Sequence, residues 1–326
     1  MKTLSLEEIK KPIAKELKEF DSFFASSVKG SSPLLNMVTR FILRRKGKRM
    51  RPMFVFLTSG MLGEINNRSY TAATLIELLH TATLIHDDVV DESFERRGFF
   101  TINALWKSKV AVLTGDYLLA KGLLLTVKNK DYDMLEIVSR AVKEMSEGEL
   151  DQIQKSQKLN ITEKDYFSII RMKTASLFAA CTECGAKAVT DDEKDINAMR
   201  RFGEALGIAF QIRDDIFDYQ HNGMTGKPMG NDLKEKKLTL PVIYTLSRSS
   251  LTERIKIRST IRRAKKDRRA IREIIDMVNE KGGIEYATGV MEEYKQQALS
   301  ILRDFPDNQA RNSLESLVEY TVKRKK

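Results

Sequence analysis

Asp87-Asp88-Val89-Val90-Asp91 and Asp214-Asp215-Ile216-Phe217-Asp218 repeat one acidic pattern at distant points of a 326-residue chain whose net charge is +11. Apolar residues precede each copy: Leu78, Leu79, Leu84 and Ile85 before the first, Leu206, Ile208, Phe210 and Ile212 before the second. Their helical spacing predicts that both copies lie on buried helices. The first and fifth positions of such a motif differ by about 40° around the helix axis and roughly one turn along it, so Asp87 points with Asp91 and Asp214 with Asp218. Carboxylates on an apolar helix are costly unless something positive sits against them. Hard oxygen donors in this number suit Mg²⁺, which keeps octahedral positions for a phosphorylated ligand. The two copies read as halves of one metal site.

Cations stand where such a ligand would need them. Glu95-Arg96-Arg97-Gly98 follows the first motif, and guanidinium groups hold phosphate in a bidentate, permanently charged grip. A second cluster, Gly47-Lys48-Arg49-Met50-Arg51-Pro52, puts cations at a helix start, where backbone amides also favour an anion. His80, two turns before Asp87 on roughly the same face, could complete that second anion pocket. Alone, the cluster is equally an ordinary basic loop, and the histidine a satisfied core residue.

The elements that must position these groups are helical. The chain has 17 Gly, 6 Pro and long runs of helix-period apolar residues without β-branched alternation, which predicts an all-α fold. Helices are expected near 5–25, 33–45, 50–63, 69–92, 103–107, 110–128, 131–156, 163–188, 191–220, 233–248, 252–263, 267–281, 284–303 and 308–323. Breaks fall at Gly30 to Pro33, Gly98, Asn129 to Asp131, Asn160 to Thr162 and Gly223 to Asn231. Without a linker or a composition shift, residues 1–326 read as one large helical bundle.

A pI of about 9.4 fits nucleic acid, anionic membrane or anionic small molecules as partners. The densest basic run, Ile261 to Arg272, and the tail Lys323 to Lys326 read as surface charge with peripheral attraction to anionic lipid. No apolar stretch is expected to reach the roughly 20 residues of a membrane span, and Met1 to Lys18 is too charged for a signal peptide, so the expected location is cytoplasmic. Cys181 and Cys184, one turn apart in an apolar run without a second pair, read as core packing and not as a zinc site.

At this point the residues match a family. Leu79 through Asp91, followed by Arg96-Arg97-Gly98, closely resembles the trans-prenyltransferases, or polyprenyl diphosphate synthases. Gly47 to Pro52, Gly115-Asp116-Tyr117-Leu118-Leu119, Lys173-Thr174-Ala175, Gln211 to Asp218, and Gly226-Lys227-Pro228 through Asp232-Leu233 to Lys237-Leu238-Thr239-Leu240-Pro241 match in the family's order.

The resemblance implies a homodimeric isoprenoid synthase fold with a deep central cavity, its mouth lined by the aspartate motifs. It implies about three Mg²⁺ ions held by Asp87, Asp91 and Asp214, with Asp88 and Asp218 in support. Arg96, Lys173, Lys227 and Lys237 would grip the diphosphate of an allylic substrate, while Lys48, Arg51, His80 and Arg97 would hold isopentenyl diphosphate. Thr174 and Gln211 would stabilise the allylic cation, with Asp215 completing the second motif. Lys236 stands where the family often has Gly, leaving open which of Lys236 and Lys237 reaches a phosphate. Ala82 and Thr83, one turn before the first motif, are small where relatives that stop at fifteen carbons carry aromatic residues. The expected product is therefore a polyprenyl diphosphate of roughly 30 to 50 carbons, about 40 as a single value, which would leave through membrane contact. The alternative is that Ala82 only packs against a neighbouring helix and the tunnel closes elsewhere, for instance at Leu118 to Leu125.

Rival readings each miss a feature. A class I terpene cyclase shares the first motif but carries an Asn/Ser/Glu metal motif where this chain has Asp214 to Asp218. A non-catalytic synthase subunit would have lost aspartates that are intact here. A nucleic-acid binder would need aromatic residues interleaved with the basic ones, and a di-iron bundle would need Glu-x-x-His pairs, whereas the histidines are only His80, His86 and His221.

Overall fold

Side-chain caps set where several helices begin. Ser5, Asn66, Thr162 and Ser250 each form a capping box with the residue three positions on, satisfying amides that the first turn leaves open. The computed structural model describes residues 5–44, 47–96, 98–219, 230–265 and 267–323. Along them run α1 (Leu6–Lys10), α2 (Ala14–Ser27), α3 (Pro33–Arg44), α4 (Met50–Leu62) and α5 (Asn67–Val90), then a hairpin of β1 (Glu95–Arg96) and β2 (Phe99–Phe100). Next come α6 (Ile102–Asn129), α7 (Tyr132–Lys158), α8 (Glu163–Ile170), α9 (Ser176–Lys187) and α10 (Glu193–Phe217). The chain ends with α11 (Asn231–Lys234), α12 (Leu240–Ser247), α13 (Leu251–Ala264), α14 (Arg268–Glu280), α15 (Gly283–Arg303) and α16 (Gln309–Lys323). The all-α expectation holds.

The departures have local causes. Pro12 tightens the first predicted helix into a 3₁₀ turn at Lys11–Ile13. The predicted helices 103–107 and 110–128 join into α6 across a kink at Lys107, whose φ is 67° and ψ 166°. The expected helix 233–248 divides between α11 and α12, because Lys236 takes a left-handed φ of 59° and Pro241 sits in the first turn of α12. That conformation favours glycine, which explains why Gly suits position 236.

Two buried apolar clusters meet on α10. Phe202, Ala205 and Leu206 belong to the larger, with α1 to α7, α9 and α16, while Ile208, Ala209, Ile212 and Ile216 belong to the second, with α8 and α12 to α15. The helix carrying the second motif is thus buried in both. Helix α5, carrying the first, packs antiparallel to α6: Asn129 donates to the Thr71 hydroxyl at 2.9 Å, Gly122 faces Leu75 and Leu78, and Gly115 faces His86. By length and composition α6 is apolar enough to cross a membrane, and 33% of its most apolar stretch is buried inside the fold. This corrects the expectation that no apolar stretch reaches span length. The physical reason is that α6 is apolar on its outward side as well as its inward one, exposing Leu105, Val112, Leu113, Leu123, Leu124 and Val127.

Arg49 fastens the loop between α3 and α4. Its backbone is left-handed (φ 54°), its guanidinium pairs with Glu77 at 2.8 Å and Asp21 at 3.1 Å, and it lies over the rings of Phe20 and Phe24. Only 16% of the Arg49 side chain and 14% of Glu77 are exposed. Removing one partner of such a pair leaves a buried charge, so Arg49→Met is expected to cost about 3 kcal/mol. The readout is a lowered urea midpoint at unchanged slope; an unmoved midpoint would show that the clamp contributes nothing.

Candidate active site

The first motif closes α5. The Asp91 amide donates to the Asp87 carbonyl at 2.8 Å, ending the helix with Asp87 exposed to solvent and Asp88 buried, 7% exposed. The β1–β2 hairpin turns the chain back so that Arg96 donates Nε to Asp88 Oδ1 at 2.7 Å. Although Asp87 reaches solvent, the surrounding protein raises its carboxyl pKa: desolvation leads, Lys173 opposes it, and repulsion from Asp91 and Glu149 adds to it.

The second motif closes α10. Asp215 is buried, accepting from the Tyr166 hydroxyl at 2.6 Å and from Gln211 Nε2 at 2.8 Å. Burial, then the Asp232 charge, pushes its pKa up to about 8 against those bonds. Asp218 accepts from the amides of Asn231 and Asp232 at 2.9 and 3.0 Å, so its carboxylate caps α11. Asp214 is half-buried beside them.

Between the motifs lies a break in regular helix. Arg171–Ala175 winds as a π-helix joining α8 to α9, and such bulges change which residues face a site. Two glycines let neighbours close on it: a Cβ at Gly148 of α7 would lie 3.0 Å from the Lys173 amide, and one at Gly207 of α10 would lie 2.5 Å from the Ala175 Cα. Lys173 forms an ion pair with Glu149 and donates to Gln152 at 3.5 Å. Thr174 donates its hydroxyl proton to Gln211 Oε1 at 2.7 Å, continuing the chain through Gln211 to Asp215 and Tyr166. Lys173, Thr174, Gln152, Gln211, Asp215, Asp232 and Lys237 line one open cleft. Lys237, bonded to Glu235 at 2.5 Å, is the lysine facing it, and Lys236 is not among the lining residues.

Not every predicted residue joins that cleft. Lys48 donates to the Tyr320 hydroxyl at 3.1 Å and lies over its ring, tying the Gly47 to Pro52 cluster to α16. Arg51 lies in the first turn of α4, and the Arg49–Glu77 pair sets this loop beside α5 one turn before His80. Thr83 donates to the His80 carbonyl at 2.9 Å. Ala82 is fully buried, and the register of α5 against α6 sets it level with Leu118, itself fully buried. Arg97 and Lys227 lie outside the described residues. The sequence reading did not single out Glu149, Gln152 or Tyr166, which the structure sets at or beside the cleft, and named Asp232 only within a matching string and without a role. The available signal for the α7 pair was Glu149 and Gln152 at helical spacing, which looks like any solvated helix face.

The donor set fits a hard divalent cation. All the aspartate donors are oxygens, the ligand type a hard divalent cation takes, and burial with the neighbouring Asp91 and Glu149 charges makes ionised Asp87 costly when nothing but Lys173 and Arg96 offsets it. Among the described residues no three acidic, His or Cys side chains already converge on a metal position.

An all-helical bundle with two aspartate motifs, lysines between them and a polar cleft is the architecture of an isoprenoid synthase. The polyprenyl synthetase profile matches residues 32–278, and the chain belongs to that family, whose members are trans-prenyltransferases. It is 32% identical to the octaprenyl diphosphate synthase of Escherichia coli (strain K12) over 98% of this chain and 99% of the relative. A polyprenyl synthase from Caulobacter crescentus CB15, solved with calcium and isoprenyl diphosphate, superposes with a TM-score of 0.90 at 31% identity over 100% of both chains. A geranylgeranyl pyrophosphate synthase structure from Bacteroides thetaiotaomicron is similar at 37% identity and a TM-score of 0.83, covering 97% of this chain and 98% of that one.

Proposed function

We propose that this chain-elongating prenyltransferase condenses isopentenyl diphosphate with an allylic prenyl diphosphate and releases an all-trans product near 40 carbons. The observation that carries the chemistry is Lys173, placed by the π segment to act on Asp87 of the first motif while lining the cleft with Gln211 and Asp215 of the second. Asp87, Asp91 and Asp214 would hold about three Mg²⁺ ions, with Asp88 and Asp218 in support. When bound, the metal supplies Lewis-acid stabilisation of the leaving diphosphate.

The chain's own residues do the rest. Lys173 and Lys237 exchange their carboxylate partners Glu149 and Glu235 for the diphosphate, neutralising charge as the allylic C–O bond breaks. Arg96, already oriented by Asp88, adds a guanidinium on the same side, and Lys227 is assigned with them. Thr174 commits its proton to Gln211, and Gln211 commits its amide hydrogens toward Asp215, so the hydroxyl presents lone pairs to the cation. The isopentenyl double bond, its diphosphate held by Lys48, Arg51, His80 and Arg97, then attacks the cation. The released diphosphate takes the final proton.

The product length rests on Ala82 and Thr83, and two of the three similar synthases named above differ in product, one geranylgeranyl and the other octaprenyl diphosphate. A shorter product is the second reading, favoured by the buried Leu118 level with Ala82. Purified protein given Mg²⁺, farnesyl diphosphate and labelled isopentenyl diphosphate is expected to yield dephosphorylated products in a ladder ending near 40 carbons. A ladder ending at about 15 or 20 would keep the chemistry and overturn the length, and no incorporation with any allylic primer would overturn the function.

The reading further implies a single-domain homodimer in the cytoplasm. Support for the dimer is the outward apolar side of α6, continued by the exposed Tyr132, Leu150 and Ile153 of α7, a surface a second copy would cover. Sedimentation of the same preparation reads the mass directly, and a monomer would refute that pairing.

A further inference from the structure

We propose that the outer face of the α13–α14 hairpin docks the enzyme on an anionic lipid bilayer. Residues 251 to 281 hold 11 Lys and Arg against 5 Asp and Glu, a net +6 of the chain's +11. The inner faces of both helices are apolar and fixed: Ile257, Ile261, Ile271, Ile274, Ile275 and Val278 are buried in the second core cluster. The cations are therefore displayed on a rigid surface.

Some of that charge is internally neutralised. Lys256 and Arg263 share Glu273 at 3.2 and 3.6 Å, and Lys281 holds Glu253 at 2.9 Å. Arg262, Lys265, Arg268, Arg269 and Arg272 are exposed and have no carboxylate within pairing distance among the described residues. Five cations clustered around one helix turnaround make a local positive field that surface pairing does not cancel.

Two aliphatic side chains decide which polyanion this field meets. Leu251 and Ile255 are 76% and 69% exposed. At 100° per residue they fall on one stripe of α13 with Ser259 and Arg262, so the apolar pair and the first of the five cations share one side of that helix. Basic residues beside protruding aliphatic ones suit an interfacial position, where the charges meet headgroups and the apolar tips enter the acyl boundary. Single-stranded nucleic acid would call for stacking surfaces, and residues 251 to 281 contain no Phe, Tyr or Trp.

The location suits delivery. Gly230, whose amide donates to the Asp218 carbonyl, packs directly on Ile271 of α14, and α11 touches α13. The basic face is thus attached to the segment that closes the second aspartate motif. Only this delivery role depends on the proposed product; the binding itself is measured without substrate.

The test uses the full-length protein and sedimentation with vesicles of phosphatidylcholine alone or mixed with phosphatidylglycerol. Binding is expected to the mixed vesicles and to weaken as salt rises. The triple substitution Arg262→Glu, Arg268→Glu, Arg269→Glu should lower that partition by about a hundredfold or more, since each basic residue near the surface contributes roughly fivefold. Leu251→Ser with Ile255→Ser should lower it by about tenfold while leaving the salt dependence in place. Unchanged prenyl transfer in detergent solution would show that both variants fold. Equal binding to phosphatidylcholine alone, no loss in the charge-reversed variant, or tighter binding to a DNA duplex than to mixed vesicles would each overturn the proposal.

Discussion

Asp87→Asn is expected to lower turnover by about a thousandfold or more, because several kcal/mol of leaving-group stabilisation would pass through the cation that this carboxylate is proposed to hold. The same substitution should leave the metal-free protein as stable as before, or more so. Desolvation, with repulsion from Asp91 and Glu149, raises the Asp87 pKa in the fold despite Lys173. A carboxyl whose folded pKa is raised binds its proton more tightly in the native state. Its ionised form therefore destabilises the fold as pH rises through the unfolded value toward the folded one and beyond. A neutral amide of the same shape removes that penalty at neutral pH. Activity and stability should thus move in opposite directions, or stability not at all. Asp214→Asn should show a comparable loss of turnover, and the double substitution should cost far less than the product of the two, since both act on one metal-diphosphate assembly. Steady-state rates across a Mg²⁺ series with parallel melts decide it. More than a tenth of the turnover left in Asp87→Asn would remove this residue from the metal site.

The parts of this enzyme legible in the sequence are those whose signal is local. Asp87 to Asp91 and Asp214 to Asp218 stand out because a four-residue spacing on an apolar helix already fixes which carboxylates share a face. The break at Asn160 to Thr162 was readable for the same reason: the capping box that starts α8 is contained within Thr162 to Asp165. What was not legible depends on contacts between distant segments. The π winding that presents Lys173 and Thr174 needs Gly148 and Gly207 from two other helices to close on Arg171–Ala175, and nothing in residues 163 to 188 alone distinguishes it from regular helix. Tyr166 reads as a core aromatic until α10 brings Asp215 within 2.6 Å of its hydroxyl. Arg49 and Lys48 are neighbours in one basic string, yet one faces Asp21 and Glu77 inside while the other meets Tyr320 of the last helix. Charge type was readable there and direction was not, because the left-handed backbone at Arg49 sets the direction.

Ala82→Phe is expected to shorten the product to about 15 or 20 carbons, and the structure sharpens what that experiment measures. Ala82 is fully buried in the main core cluster, level with a Leu118 that is buried as completely. A phenyl ring introduced there must displace something. In a filled core the cost is about 1 to 3 kcal/mol of overpacking, whereas a ring entering a prenyl channel occupies space that the growing chain would use and costs the empty protein less. Product length and melting temperature together therefore separate a gate from a packing position. Leu118→Ala supplies the converse. If the α5–α6 contact limits growth, removing bulk from α6 lengthens the ladder just as adding bulk to α5 shortens it. If Ala82 merely packs, both substitutions destabilise and neither moves the final product. Chromatography of the dephosphorylated products from each variant, with farnesyl diphosphate as primer, reads the outcome. A folded Ala82→Phe enzyme that still ends near 40 carbons would sink Ala82 as the determinant. A longer ladder from Leu118→Ala in that same case would place the limit on α6 alone, where a side chain on the partner helix, and not the small residue before the aspartates, closes the channel.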